Sequence, residues 1–327
     1  MSARGTTLPV ESRLPGFDGA AGWLNSAPLT PAGLRGSVVL VDFWTYTCIN
    51  WLRTLGYVRA WAERYRDHGL VVVGVHTPEF PFERDPDNVR RAVTAMDVAY
   101  PVALDPEYTV WEAFANHYWP AVYLADAEGR IRYHHFGEEA YTETERAVQR
   151  LLRDAGRDGI GDEVVSIDPG GVEAQADWAN LGSPETYLGF QQGGNLVAPD
   201  VRIGVPATFA VPDALPLNGW ALGGAWTIEE RAAVSNGPGA RIAFRFHARD
   251  VNLVLRSREG APVPFRVLVV GEPPGPAHGL DVDAAGHGTL VEPRLYQLVR
   301  TPGNVTDHTL EIAFAAAGVE AYVFTFG

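Results

Sequence analysis

Val38-Val39-Leu40-Val41-Asp42-Phe43-Trp44-Thr45-Tyr46-Thr47-Cys48-Ile49-Asn50-Trp51 is the stretch from which the fold of this 327-residue chain is read. Its first six residues form a nearly unbroken apolar run, as expected of a strand covered on both faces of a parallel sheet. Past Cys48 the period changes. Leu52, Leu55, Val58 and Trp61 recur at helical spacing, which predicts a helix over 49–65 that stops near His68-Gly69. A second apolar run at 70–75 completes a βαβ unit. Further helices are predicted over 86–96, 108–115 and 142–152. Strands at 121–125 and 130–136 flank Asp126-Ala127-Glu128-Gly129 and read as an antiparallel hairpin.

Cys48 therefore falls just after the first strand, where parallel sheets place their chemistry, and at the start of the first helix. Unpaired N–H groups and the positive end of the helix dipole favour a thiolate there, so Cys48 is a candidate nucleophile with a depressed pKa. The competing reading is an inert, buried small residue. Cys48 is the single cysteine, which excludes an intrachain disulfide, and the chain has no lysine, which excludes a Schiff-base lysine and a P-loop.

The segment 41–50 with Leu52-Arg53-Thr54-Leu55 resembles the active-site segment of thioredoxin-like redoxins, specifically the soluble portion of DipZ-type reductases. The resemblance continues through Gly74-Val75-His76-Thr77-Pro78-Glu79-Phe80 and Tyr118-Trp119-Pro120-Ala121, and covers 22–155. It implies an α/β thioredoxin-like domain followed by an all-β sandwich of jelly-roll type, similar to a carbohydrate-binding module. Dithiol members carry Cys-x-x-Cys; here Trp51 stands in place of the resolving cysteine, so a mixed disulfide on Cys48 needs an outside thiol to clear it. Gly56 stands where related sequences tend to have a proline.

By the same resemblance, Asp42 matches a buried acid that relays a proton to the resolving thiol, with a core acid as the plainer alternative. Pro120 matches a cis-proline facing the cysteine, and Trp51 and Trp119 are expected beside it in a substrate groove. Thr45 gives Thr-x-x-Cys, similar to the peroxiredoxin pattern beside a peroxidatic thiolate, although the proline expected four residues earlier is Val41. His76 and Glu79 follow the second strand and are candidates for tuning the thiol or supplying a proton. His134 and His135, adjacent on a strand, point to opposite faces, and no other spacing suggests a metal site. No cofactor is implied.

From about residue 181 the pattern turns to short alternating strands, among them Ile242, Phe244 and Phe246, with the apolar parity switching at Asp250; this predicts the sandwich. Trp178, Tyr187, Phe190, Trp220, Trp226 and Tyr296, with Glu185 and Glu229, could stack on and hydrogen-bond a sugar, or simply form the core. The domain plan is thus an extension at 1–21, a thioredoxin-like domain at 22–157, an acidic Gly/Pro linker at 158–180 and a sandwich at 181–327. The stretch 158–178 holds six carboxylates and no arginine, and reads either as an extended, self-repelling linker or as a solvated surface loop with short strands packed on one domain. A formal charge of −14 opposes nucleic-acid binding, no apolar run spans a membrane, and the start lacks the apolar core of a secretory signal, so a cytoplasmic setting is expected. The expected partner is a thiol or disulfide protein, or a low-molecular-weight thiol. Two functions follow: monothiol exchange or peroxide reduction at Cys48, or a redox-inactive scaffold that binds a peptide or glycan.

Overall fold

Alternation along one strand organises the first half. In β3, Val38–Trp44, every residue is buried; Val39, Val41 and Phe43 face one apolar layer with Val110, Trp111 and Phe114, while Asp42 and Trp44 face the opposite side. The computed structural model describes residues 8–198 and 201–327, and it divides into two compact units, Met1–Ala174 and Gln175–Gly327.

The first unit is a seven-stranded sheet in the order β1-β7-β6-β3-β4-β5-β2. These strands are β1 Ser12–Arg13, β2 Gly22–Leu24, β3, β4 Leu70–His76, β5 Val102–Leu104, β6 Ala121–Ala125 and β7 Arg130–Phe136. β3, β4 and β5 are parallel, and β6 runs antiparallel to β3. The helices are α1 Ile49–Tyr65, α2 Pro86–Ala95, α3 Thr109–Ala113 and α4 Tyr141–Asp154. The thioredoxin-like α/β fold expected from the sequence is the one observed. α1 is seated by apolar residues and by Arg53, which reaches Glu138 at 3.0 Å with both side chains buried.

The acidic segment after α4 lies on this same unit up to Ala174. Glu145 of α4, 1% exposed, accepts from Trp61 Nε1 at 3.1 Å, Tyr65 Oη at 2.6 Å and the Val165 N–H at 2.8 Å. Arg59 binds Glu173 at 2.6 Å and Arg153 binds Asp162 at 2.5 Å. Gly56 admits this segment: a Cβ there would lie 2.9 Å from Ile167 Cδ1. The arginines of the first unit thus offset the local acidity.

The second unit is an antiparallel sheet of eleven strands that curls on itself. Trp220–Ile228 pairs through its first half with Arg241–Phe246 and through its second with Ala233–Ser235, and it turns between them at Gly224, where φ is +86°. Phe244 on one side of the curl then meets Phe324 at 5.0 Å and Phe326 at 5.1 Å from the other, the packing of a sandwich.

Replacing Glu145 by Ala leaves two buried donors and the Val165 N–H without their acceptor. The expected result is a loss of about 2–4 kcal/mol in urea unfolding of the first unit, with faster tryptic cleavage at Arg153 and Arg157; cleavage at the parental rate would contradict the anchoring described.

Candidate functional site

Cys48 is the N-cap residue of α1, with φ −74° and ψ 112°. Its N–H donates to Thr45 O at 3.2 Å and its carbonyl accepts from Leu52 N at 3.0 Å, so the sulfur stands beside a first turn whose N–H groups have no intrahelical acceptor. The side chain is half-buried. Sγ lies 3.9 Å from Trp119 O, and the Trp119–Pro120 peptide is cis. Cys48, Trp119 and Pro120 thus lie together at this end of the sheet.

Trp119 is held in turn. Its indole N–H donates to Thr77 O at 3.1 Å, its ring packs on Trp111 at 4.3 Å, and the Thr77 hydroxyl donates to Asp105 Oδ2 at 3.1 Å. Asp105 also accepts the N–H groups of Val110 and Trp111 at 2.9 Å each, which fixes the start of α3.

Trp51 departs from the groove position expected of it. It is fully buried, stacked on Trp44 at 4.2 Å and 18°, and its indole N–H donates to Asp42 Oδ2 at 3.0 Å. The cause is the facing of β3: Asp42 and Trp44 point toward α1, and an indole one turn into the helix satisfies the one carboxylate on that side. Asp42 is therefore a core acid bound to the residue that replaces the second thiol. Burial pushes its pKa up to about 7, opposed by Trp51 and by the nearby Tyr100 hydroxyl. Gly74, opposite Asp42 in β4, makes room for this cluster, since a Cβ there would lie 2.8 Å from Trp44 Nε1 and 3.0 Å from Tyr100.

Thr45 is fully buried, and its hydroxyl, which lies near Glu83, makes no bond to Sγ among the described residues. It meets Cys48 through its carbonyl, which is not the hydroxyl-to-sulfur arrangement suggested by Thr-x-x-Cys. His76 is 2% exposed, stacked on Tyr46 at 5.6 Å and set edge-on to Trp44 at 4.8 Å. Burial drives its pKa down to about 3, which keeps it neutral. It lines a cavity of about 110 Å³ with Glu83, Arg84, Leu104 and Asp105. Glu79 offers its backbone N–H to Glu83. Glu83 and Asp105 were missed by the sequence reading because no motif marks them; the one local signal is a carboxylate just after Pro81-Phe82 in the loop following β4.

In the second unit the proposed sugar platform does not assemble. Trp220, Trp226 and Tyr296 are core residues whose polar atoms are spent on Gly194 O, Gly223 O and Glu292 O. Trp178 and Phe190 are exposed and Tyr187 is half-buried. Tyr187 donates to Glu185 at 3.3 Å, and Glu229 accepts from Arg258. His134 pairs with Glu11 at 2.7 Å while His135 meets Glu138 O at 3.0 Å, so they do not chelate together. Among the described residues no cluster of three metal-ligating side chains occurs, and no helix is long and apolar enough to cross a membrane.

Both halves of the chain resemble known proteins in sequence. The Redoxin family model matches residues 9–152, and the model described as a thioredoxin like C-terminal domain matches 183–327. Protein DipZ of Mycobacterium tuberculosis is 35% identical over 323 residues, as is that of Mycobacterium bovis; the match takes in 96% of this chain and 42% of theirs, so the chain spans under half the length of these relatives. Thiol-disulfide oxidoreductase YkuV of Bacillus subtilis is 27% identical over 145 residues, 44% of this chain and 97% of that protein. A solution structure of a thioredoxin-like protein in the oxidized form is 28% identical, covers 44% of this chain and 96% of its own, and has a TM-score of 0.41.

Because Asp42 holds its proton more tightly folded than unfolded, it stabilises most at low pH, and that contribution falls as pH rises from about 4 to about 7. Asp42→Asn keeps an acceptor for Trp51 and removes the titration. Relative to the parent, it should gain up to about 1.4 kcal/mol per pH unit across that window in denaturant titrations; a difference constant with pH would refute the assignment.

Proposed function

We propose, for a chain whose two halves belong to the thioredoxin-like redoxins and to their C-terminal domains, that Cys48 works as a lone nucleophile in thiol-disulfide exchange. The observation that carries this is the half-buried sulfur at the N-cap of α1, beside Trp119 O and the cis Trp119–Pro120 bond. The helix terminus favours the thiolate.

The steps balance without a cofactor. The Cys48 thiolate attacks one sulfur of a partner disulfide, forming a Cys48–partner mixed disulfide and releasing the other partner sulfur as a thiolate. An outside thiolate then attacks that mixed disulfide and frees Cys48. Trp51, in the core, offers no sulfur for the second step. In the cytoplasmic setting proposed here, low-molecular-weight thiols of the glutathione class supply it. Peroxide reduction has less support, since the Thr45 hydroxyl makes no bond to Sγ. The second unit is a candidate partner-binding module, and its glycan role rests on no assembled platform.

Incubation of the full chain with oxidised glutathione should yield a single reducible adduct by intact mass, absent in Cys48→Ser. Alkylation of Cys48 should show a midpoint below the ordinary thiol value of about 8.5. An ordinary midpoint with no adduct would favour the redox-inactive binding scaffold. Trp51→Cys should gain insulin-type disulfide reduction while losing about 3–5 kcal/mol of stability, because a filled core position is emptied and Asp42 loses its donor. A folded variant that remains inactive would show that the site is no longer a working dithiol scaffold.

A further inference from the structure

The loop that presents Cys48 is held by a carboxylate from a different part of the chain. Thr47, the residue before Cys48, donates its hydroxyl to Glu83 Oε1 at 2.6 Å. The backbone N–H groups of Glu79 and Phe80 donate to Oε2 at 2.7 and 2.8 Å. Thr47 and Glu83 are 2% and 1% exposed. Glu83 thus ties the β3–α1 loop to the loop that follows β4, and both loops lie at the carboxyl edge of the parallel strands.

This is a costly way to build a loop. Burial pushes the pKa of Glu83 up, opposed by the Thr45 and Thr47 side chains and by the N–H groups of Phe80 and Glu79. Among the described residues no ion pair includes Glu83, so hydrogen bonds alone offset its desolvation. The other charged or titratable side chains lining its cavity are His76, Arg84 and Asp105. His76 is kept neutral, Arg84 pairs with Glu107 at 3.1 Å, and Asp105 is occupied by Thr77 and the start of α3. Glu83 therefore serves the loop, and the residue it grips is adjacent to the nucleophile.

We infer that Glu83 is a positioning residue for Cys48, acting through the Thr47 hydroxyl to fix the N-cap backbone geometry that places the sulfur at the first turn of α1. This rests on the reading of Cys48 as a nucleophile. With Thr47 released, the backbone before Cys48 gains freedom, the sulfur spends less time against the helix terminus, and the thiolate loses part of its stabilisation.

The test is the pH dependence of Cys48 alkylation by iodoacetamide in the full chain, for the parent, Thr47→Val, Thr47→Ser and Glu83→Gln. Each is first shown by near-ultraviolet circular dichroism to keep its native band, because an unfolded chain would also show an ordinary thiol. Thr47→Val removes one hydroxyl at nearly constant shape, so it carries the test if Glu83→Gln fails to fold. Thr47→Val and Glu83→Gln should shift the midpoint upward by several tenths of a pH unit and slow alkylation about 2- to 5-fold at pH 7. Thr47→Ser, which keeps the hydroxyl, should return toward the parent. A purely structural role would change thermal stability without moving the midpoint. If the parent thiol is reactive and the Thr47→Val profile superimposes on it, Glu83 has no positioning role and the reading of Cys48 stands. An ordinary thiol in the parent removes that reading and this inference with it.

Discussion

An indole N–H donating to a carboxylate 3.0 Å away, with both groups fully buried, sets the seat of α1 on the sheet. Asp42 is the polar residue of β3 that faces the helix, and in an interior of low dielectric it needs a donor. Trp51 supplies one, and its ring spreads over Trp44. Cys48 lies one turn earlier on the same helix, so its place at the rim follows from where that indole is anchored. Trp119, Thr77 and Asp105 then bring the cis-proline segment to the sulfur from the other side. The site depends on two buried acids, Asp42 seating α1 within the motif and Asp105 fixing Thr77 and the start of α3 outside it.

Much of the first unit was legible because its signals are local. The helix predicted over 49–65 coincides with α1, and the hairpin strands at 121–125 and 130–136 coincide with β6 and β7. Apolar runs and helical spacing act over a few residues, and here nothing in the tertiary packing overrides them. Trp51 was misplaced because its orientation depends on which face of β3 carries Asp42, and spacing from Cys48 does not report that. Glu83 was invisible because its bonds run to Thr47, 36 residues earlier, and to backbone N–H groups, which any sequence possesses.

The second unit shows a different limit. Trp220–Ile228 is among its longest strands, and Gly223-Gly224 interrupts its apolar pattern. Those glycines are where one strand passes between the two halves of the curled sheet, so the interruption is the structural device. The aromatic residues near it were ambiguous for a related reason. A buried Trp needs a carbonyl for its N–H, and Trp220 and Trp226 each find one in neighbouring backbone. Aromatic composition alone therefore does not separate a binding face from a core.

Burial also decides the charge beneath the cysteine. It favours the neutral form of both Asp42 and His76, from opposite chemical directions. At neutral pH His76 is uncharged and Asp42 is near its midpoint, so His76 supplies no imidazolium to pair with a thiolate or to donate a proton. In the proposed exchange, the terminus of α1 is one source of thiolate stabilisation. Exchange is fastest when the leaving thiol has a low pKa of its own. If Cys48 exchanges as proposed, a partner that releases an acidic thiol reacts faster with it than one that releases a basic thiol, whatever contacts Trp119 and Pro120 add.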